Sequence, residues 1–279
     1  MLKIALEIDI EELIKKALQM EDKRGRDIVV RRFGLKTPDI HTLASLGEEY
    51  GLTRERVRQI EASTLNGIRE RIKEEKQTLL FLELMEKYLG SVSKVRRSDF
   101  LARDIAALCN PDDEYQPVFE NKLNFLAKVL EHPYIKDETQ DTYTTWYLDQ
   151  ETHNLALKLV EKLLGFKEHD FDKYVNEVMK EHDLTESVIL NYLSLSKNFG
   201  TGPYGHMGAT HWLHINPKTV KDKAYLVLKQ KGEPMHFMDI ARLVNEMSDK
   251  EKAHATVHNE LIRDPRFVLI GRGTYSLNE

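Results

Sequence analysis

The chain is poor in the features that mark secreted and membrane proteins. It has one cysteine, Cys109, so no disulfide can form within the chain and no pair of cysteines can hold zinc. No apolar run approaches the roughly 18 residues of a membrane-spanning helix. The first residues, MLKIALEIDIEEL, carry acidic side chains inside their apolar stretch, unlike a secretory signal peptide. The sequence therefore predicts a protein of the reducing cytoplasm that has no contact with a membrane.

The chain also lacks the strong positive charge of a general polyanion-binding protein. Its formal net charge is −5 over 279 residues. Residues 22–76 nevertheless carry 13 basic and 10 acidic side chains, a balance of +3, which leaves −8 for the remainder. A modestly basic segment beside acidic neighbours favours local contact with DNA and little non-specific binding. The acidic remainder is better suited to contact with protein.

One stretch, TLASLGEEYGLTRERVRQIEASTLNGIR at 42–69, has the spacing of a helix-turn-helix. Gly47 places a small residue where two helices cross closely, and Gly51 suits a turn that needs a positive φ. Val57 and Ile60 lie on the inner face of the second helix. The other predicted core residues are Leu46, Tyr50 and Leu52. In this motif the second helix enters the DNA major groove.

The outward face of that second helix carries side chains suited to base recognition. Thr53 is the predicted N-cap, and Arg54, Glu55, Arg58 and Gln59 follow on the exposed side. Arginine pairs with guanine, glutamate with the cytosine amino group and glutamine with adenine. Arg54 and Arg58 are four residues apart, and an anionic partner would turn their repulsion into attraction. A solvated charged helix is the alternative interpretation of these residues taken alone.

The sequences RRFGL at 31–35 and TLASLGEEYGLTRERVRQIE at 42–61 together resemble region 4 of bacterial sigma factors of the principal type. The resemblance extends over residues 23–72. In that family the region contacts the −35 promoter element and docks on the flap of core RNA polymerase. The resemblance implies that the residues in contact with bases are Thr53, Arg54, Glu55 and Gln59. It implies that those in contact with phosphates, or supporting the recognition helix, are Arg32, Thr42, Arg56 and Arg58.

The sequence departs from that family around the motif. Ala44 and Ser45 follow the Thr-Leu pair where the family usually has acidic residues, which alters the outer surface of the first helix. The preceding residues form a predicted amphipathic helix at 7–20, with Asp9 as N-cap and Glu12 at the third helical position. This leader is too short for the clamp-binding and promoter-melting region of a complete sigma factor. We therefore expect that the chain and core polymerase alone do not open a promoter.

The rest of the sequence contains a weak repeat of helical stretches that each close on an aromatic residue, namely Trp146, Trp212 or Tyr275. The predicted helices are 78–89, 98–108, 117–131, 151–164, 170–181, 185–196, 219–231, 237–246 and 250–263. The predicted fold is mainly α, a helix-turn-helix domain followed by tandem winged-helix-like units of three helices and a β-hairpin wing. The aromatic residues are expected to pin each wing to its helices, and stacking on nucleic-acid bases is the alternative.

The predicted segments follow from these patterns. They are an N-terminal helix at 1–22, the helix-turn-helix domain at 23–76, and winged-helix-like units at 77–150, 151–217 and 218–279. Because the contacts of the helix-turn-helix are local, a fragment ending near Lys76 is expected to fold at least in part.

The last unit contains AYLVLKQKGEPMHFMDIARLV and TVHNELIRDPRFVLIGRGTYSL. Gly232, Pro234, Met235 and His236, and the terminal Phe-Val-x-x-Gly-x-Gly-x-Tyr, resemble a HARE-type winged helix over residues 219–279. That family includes the N-terminal domain of the delta subunit of RNA polymerase. Its motif does not determine a ligand, so the resemblance implies a fold and no binding residues.

Gly200, Gly202 and Gly205 form a GxGxxG pattern. A dinucleotide site needs a strand before this pattern and a helix after it. Here the helical stretch VILNYLSLSK precedes the glycines and a strand containing Trp212 is predicted to follow them. The pattern is therefore expected to be the turn of a hairpin or wing.

Histidine and carboxylate clusters give two further candidates. His206, His211 and His214 fall around the same hairpin, and His254 and His258 lie one helical turn apart. Polar surface is the expected role, with metal ligation as the alternative. A nuclease-like carboxylate cluster is the alternative to a solvated turn for Asp112, Asp113 and Glu114.

The sequence predicts sequence-specific DNA binding in bacterial transcription initiation. The expected partners are double-stranded DNA with a −35-like promoter element and core RNA polymerase. The alternative is a polymerase-associated interaction adaptor, similar to the delta subunit, that does not contact bases. A nuclease or modification accessory follows only from the HARE association. No enzymatic reaction, cofactor, metal or small-molecule substrate is expected.

Overall fold

The computed structural model describes residues 1–109, 116–167, 171–248 and 250–278, and they form a mainly helical protein with small antiparallel sheets. The chain divides into two compact units. The first comprises Met1–Leu163 and Asp172–Ser196, and the second comprises Leu164–Phe171 and Lys197–Glu279. Within the described ranges, no helix is both long enough and apolar enough to cross a membrane. The predicted mainly α class is confirmed, and the five segment boundaries stay a prediction.

The first part of the chain, residues 1–72, contains five helices. They are α1 (Leu2–Glu7), α2 (Ile10–Ala17), α3 (Lys23–Arg32), α4 (Leu43–Tyr50) and α5 (Arg54–Ile72). The single helix predicted at 7–20 is wrong, because extended backbone at Ile8 separates α1 from α2. Asp9 caps α2 as predicted and accepts a hydrogen bond from the Glu12 amide. The backbone N–H of Asp9 donates a hydrogen bond to Gln77 Oε1 at 2.9 Å, so a residue distant in the sequence completes this cap.

The helix-turn-helix has a small core of its own. Leu46 and Val57 are fully buried, as predicted, and Leu52 and Ile60 pack against them. Ile28 of α3 is the third fully buried member, and the sequence pattern of the motif did not include it. Since α3 contributes this residue, the motif folds as three helices and not as a two-helix unit.

The first winged-helix-like unit has its elements in the order helix, strand, two helices, two strands. They are α6 (Lys76–Ser91), β1 (Val95–Arg97), α7 (Ser98–Cys109), α8 (Pro117–Leu130), β2 (Tyr134–Lys136) and β3 (Thr145–Tyr147). The antiparallel sheet has the order β1-β3-β2, with Trp146 opposite Arg96 on one side and Ile135 on the other. Trp146 is fully buried and its indole N–H donates to Asn124 Oδ1 at 2.8 Å. The tryptophan therefore fixes the wing to α8, as predicted.

The C-terminal half of α5 belongs to the core of this winged unit. Ile68 and Ile72 are fully buried in one cluster with Phe81 of α6 and Phe125 of α8. The Arg69 guanidinium donates to the Val129 carbonyl at 2.5 Å, which joins α5 to the end of α8. The helix-turn-helix and the winged unit consequently share this second core, in addition to the small core of the motif. The shared core argues against the expectation that a fragment ending near Lys76 folds in part, and that expectation stays a prediction.

Three more helices and a hairpin follow, namely α9 (Gln150–Leu164), α10 (Phe171–His182), α11 (Glu186–Leu193), β4 (Phe199–Thr201) and β5 (Met207–Ala209). In α11 the Asn191 amide donates to the carbonyls of Val92 and Val95, so this helix covers the β1 edge of the first sheet. Trp212 lies in a turn after β5, not in a strand as predicted, and it packs edge-on against Phe171.

The C-terminal unit repeats the element order of the first winged unit. It contains α12 (Val220–Lys231), β6 (Met235–His236), α13 (Phe237–Glu246), α14 (His254–Arg263), β7 (Phe267–Gly271) and β8 (Thr274–Leu277). The sheet order is β6-β8-β7, and Tyr275 on the central strand is buried among the three helices. The helix predicted from 250 begins at His254, because the preceding described residues lack helical backbone.

Candidate nucleic-acid interface

Two glycines set the angle between α4 and α5. Gly51 ends α4 in the left-handed region, with φ 64° and ψ 35°. A Cβ on the buried Gly47 would lie 2.7 Å from the Leu52 carbonyl oxygen, so only glycine allows the turn to approach α4 this closely. Thr53 then caps α5, and its hydroxyl accepts a hydrogen bond from the Arg56 amide. The local geometry that the motif predicts is therefore present.

The first two turns of α5 expose the predicted base-contacting residues. Arg54, Glu55, Arg58 and Gln59 are all exposed. Arg58 binds Glu55 through two hydrogen bonds, Nε to Oε2 at 2.8 Å and Nη2 to Oε1 at 2.7 Å. Arg58 thereby lowers the pKa of the Glu55 carboxyl. The negative charge of Glu55 in turn offsets the repulsion predicted between Arg54 and Arg58. Arg56 donates to Gln59 Oε1 at 3.2 Å, so most of the polar groups are ordered against one another.

Arg54 differs from its neighbours on this surface. In the part of the chain that the structure describes, its side chain forms no hydrogen bond or ion pair. Its guanidinium is therefore the group on the first turn of α5 that is most available to a ligand without breaking an existing bond. A guanidinium in this position can donate two parallel hydrogen bonds to a guanine edge.

Arg32 lies apart from the exposed group and points inward. Its Nη1 donates to the His41 carbonyl at 2.5 Å, and its Nε lies 3.4 Å from the Glu61 carboxylate. The Arg32 side chain is 25% exposed and that of Glu61 is 13% exposed. Arg32 thus holds the loop before α4 onto α5, which matches the supporting role and not the phosphate contact. Thr42 caps α4 by accepting from the Ser45 amide at 3.0 Å.

Two polar contacts that the sequence pattern does not predict join α3 to the end of α4. Tyr50 donates its hydroxyl to Asp27, and the Arg31 Nη2 donates to Glu49 Oε1 at 2.6 Å. Burial, followed by the bond to Asp27, raises the pKa of the Tyr50 hydroxyl. These pairs lie 23 and 18 residues apart in the sequence, so no local pattern signals them.

Where the structure describes them, the residues of the alternative sites considered from the sequence have other roles. Gly202 and Gly205 lie in the turn between β4 and β5, with φ 83° at Gly205, as expected of a hairpin. Among the described residues, no group of three His, Cys, Asp or Glu side chains is arranged to hold a metal ion. His258 stacks on the Phe237 ring with centroids 4.4 Å apart. The carboxylate cluster of Asp112, Asp113 and Glu114 lies outside the described residues.

The three closing aromatic residues are buried. Trp146 is 0%, Trp212 7% and Tyr275 2% exposed. A base cannot stack on a ring that the protein already covers. The alternative of base-stacking platforms is therefore wrong, and these residues hold the hairpins to their helices.

Fold and surface define a helical protein with a helix-turn-helix near one end and a winged helix at the other. Comparison with known families identifies both ends. Residues 22–70 match sigma-70 region 4, and residues 218–279 match the HARE helix-turn-helix domain, which is described from ASXL and restriction endonucleases among others. The chain therefore carries a sigma-70 region 4 segment and a HARE domain, which confirms both resemblances. These matches support a DNA-binding, transcription-related role.

Similarity to an individual protein is found over the first of these regions. A curated relative is the RNA polymerase sigma factor RpoS of Coxiella burnetii, 42% identical over 62 residues. The aligned part is 22% of this chain and 18% of the relative. No solved structure matches the chain.

Proposed function

We propose that this chain is a sequence-specific DNA-binding protein of bacterial transcription initiation, located in the cytoplasm. The observation that carries the proposal is the exposed start of α5, where Arg54, Glu55, Arg58 and Gln59 project together from a rigidly capped helix. The sigma-70 region 4 match over 22–70 supports a promoter element of the −35 type as the target. In this proposal Thr53, Arg54, Glu55 and Gln59 contact bases.

We assign the proposed backbone contacts to a smaller set of residues than the sequence predicted. Arg56 and Arg58 are exposed beside the base-contacting residues and are the proposed phosphate ligands. Thr42 starts α4, and the helix N-terminus there adds backbone N–H groups that favour a phosphate. Arg32 supports the interface from behind through His41 and Glu61.

Core RNA polymerase is the proposed protein partner, on the strength of the region 4 match. The apolar sides of α3 and α5 are occupied by the shared core, where Val29, Ile68 and Ile72 are fully buried. A partner must therefore bind the exposed polar surface of these helices, unless the winged unit moves away. No reaction, cofactor or small-molecule substrate forms part of the proposal.

The test is a selection of genomic fragments bound by the full chain, followed by titration of the enriched duplex at two salt concentrations. We expect enrichment of one short sequence and an affinity that falls with salt by a slope of about −0.9 for each phosphate contact. Binding of core polymerase is measured separately, with the purified enzyme immobilised.

Binding to polymerase without salt-dependent duplex binding would instead support the adaptor, the alternative suggested by the HARE domain. Duplex binding without any enrichment would contradict base recognition by α5. A variant with Arg54→Ala and Gln59→Ala separates the two functions, because it removes base contacts and leaves the other exposed faces unchanged.

A further inference from the structure

A basic groove of about 740 Å³ lies between the C-terminal end of α2, α3 and the loop after α3. Its lining includes four basic side chains, those of Lys15, Lys23, Arg26 and Lys36. All four are exposed, and none of them has an ion-pair partner among the residues that the structure describes. Four uncompensated cations around one concave surface attract an anionic ligand.

The one carboxylate in the groove does not neutralise these cations. Asp27 accepts a hydrogen bond from the Tyr50 hydroxyl, and its Oδ2 lies 3.7 Å from the Arg31 guanidinium. Tyr50 lies at the end of α4 and Arg31 itself binds Glu49 of α4, so Asp27 takes part in the packing of α3 on α4. The lining also contains Leu18 and Val30, whose aliphatic side chains give the groove an apolar part.

The start of α3 gives a second reason to expect an anion. Its first turn contains Lys23, which lines the groove, and no acidic residue, although the helix N-terminus is the positive end of the helix dipole. Asp22 caps the helix and satisfies only the amides of Arg24 and Gly25. The Asp22 carboxylate offsets part of the dipole. Lys23 beside it has no ion-pair partner among the described residues, so it is available to an anionic ligand in the groove.

We propose that this groove binds an acidic peptide segment of a partner protein. Glu or Asp side chains would pair with the four cations, and interspersed aliphatic side chains would contact Leu18 and Val30. A sugar–phosphate backbone has no apolar side chain comparable to leucine or valine for that part of the groove, which favours peptide over DNA. The site is separate from the exposed residues of α5, and it does not depend on base recognition by that helix.

The test uses the full chain and a fluorescein-labelled peptide of Glu, Asp and Leu, with fluorescence anisotropy as the readout. We expect salt-sensitive binding that Arg26→Glu weakens about tenfold or more. Arg24→Glu is the matched control, since it changes the same charge on the same exposed helix without lining the groove. The control should weaken binding about twofold at most. A peptide with Gln and Asn in place of the acids should not bind.

Equal losses in Arg26→Glu and Arg24→Glu would show general electrostatic attraction and overturn the proposal. Failure of the acidic peptide to bind would do the same. Each variant is also titrated with the enriched duplex from the selection. A loss of duplex binding in Arg26→Glu with unchanged peptide binding would assign the groove to DNA. Loss of promoter recognition in Arg54→Ala leaves the peptide result unaffected, so the two proposals fail separately.

Discussion

At the scale of single residues, the start of α5 combines one unengaged arginine with one that is already paired. Arg54 forms no bond within the described residues, whereas Arg58 is held by Glu55 at 2.7 and 2.8 Å. Both arginines suit DNA, but the structure predicts different consequences of removing them. In the proposed complex Arg54 contacts a base, whereas Arg58 is paired with Glu55 and contacts the DNA backbone.

Arg54→Ala should cost about 1–3 kcal/mol on the preferred duplex and relax the choice at one base position. Arg58→Ala should weaken all duplexes alike and reduce the salt slope by about 1, because it removes one positive charge from the proposed phosphate contacts. Titrations of a small set of duplexes with single-base changes measure both effects. The control is Arg242→Ala, which removes an exposed arginine from α13. Unchanged binding of every duplex by Arg54→Ala would refute the assignment of the recognition helix.

A partly buried ion pair in the HARE domain gives the stability of the fold a pH dependence. Asp264 is 9% exposed and binds Arg266 through two hydrogen bonds, at 3.0 and 2.8 Å. The guanidinium lowers the pKa of this carboxyl from 3.8 to about 2. A lowered folded-state pKa stabilises the fold above pH 3.8, and this contribution is lost as the pH falls towards 2.

The difference in the free energy of unfolding between the parent chain and Asp264→Asn should therefore be largest near neutral pH and decrease below pH 4. Urea denaturation at a series of pH values measures it. Glu233→Gln changes an exposed carboxyl in the same domain and should show no such trend. A difference that grows as the pH falls would mean that the pair with Arg266 does not stabilise the folded state.

At the scale of the element, the turn of the helix-turn-helix depends on two glycines for different reasons. Gly51 has φ 64° and open space around its Cβ position, so a side chain there meets only backbone strain. Gly47 has ordinary helical backbone, but its Cβ would lie 2.7 Å from a carbonyl oxygen. Gly67 in the middle of α5 has neither restriction.

Gly51→Ala should destabilise the chain by about 1–2 kcal/mol, the cost of a left-handed residue with a side chain. Gly47→Ala should cost at least as much, because the Leu52 carbonyl must move. Gly67→Ala is the matched control, and it should stabilise the helix by up to about 1 kcal/mol. Thermal denaturation of the three variants orders them. A neutral Gly47→Ala would show that the close approach of the turn to α4 is not required.

At the scale of the whole molecule, α5 belongs both to the exposed polar surface and to the shared core. Its first turns carry the exposed polar residues, and its last turns carry Ile68 and Ile72 into the core that contains Phe81 and Phe125. The sigma-like segment is therefore not an independent domain in this chain. Its own core of Ile28, Leu46 and Val57 is small, and further apolar residues of α3 and α5 are buried in the larger cluster.

A fragment of residues 1–76 should consequently fail to fold, since it exposes the apolar side of α5. A fragment of residues 1–196 keeps the whole first unit and should unfold cooperatively and bind the selected duplex. Circular dichroism melts and the dispersion of amide proton NMR signals distinguish the two states. A well-dispersed spectrum for 1–76 would contradict the requirement for the shared core.

The elements that could be predicted from the sequence are those whose contacts are local. The predicted helices at 98–108 and 237–246 agree with α7 and α13 to within one residue, and Gly51 and Thr53 have the conformations that the motif predicts. Their causes are periodicity, capping and turn chemistry, which act over a few neighbouring residues. The exposed group on α5 was predictable for the same reason, because helical spacing places its members on one face.

Contacts between residues that are distant in the sequence could not be predicted and are seen in the tertiary structure alone. It shows that Arg32 turns inward to Glu61, that Gln77 completes the cap of α2, and that Ile68 belongs to the winged-helix core. Strand β1 is three residues long and is stabilised by pairing with β3 and by Asn191, about a hundred residues further along the chain. No periodicity can encode such contacts, because each depends on which surfaces meet when the helices pack.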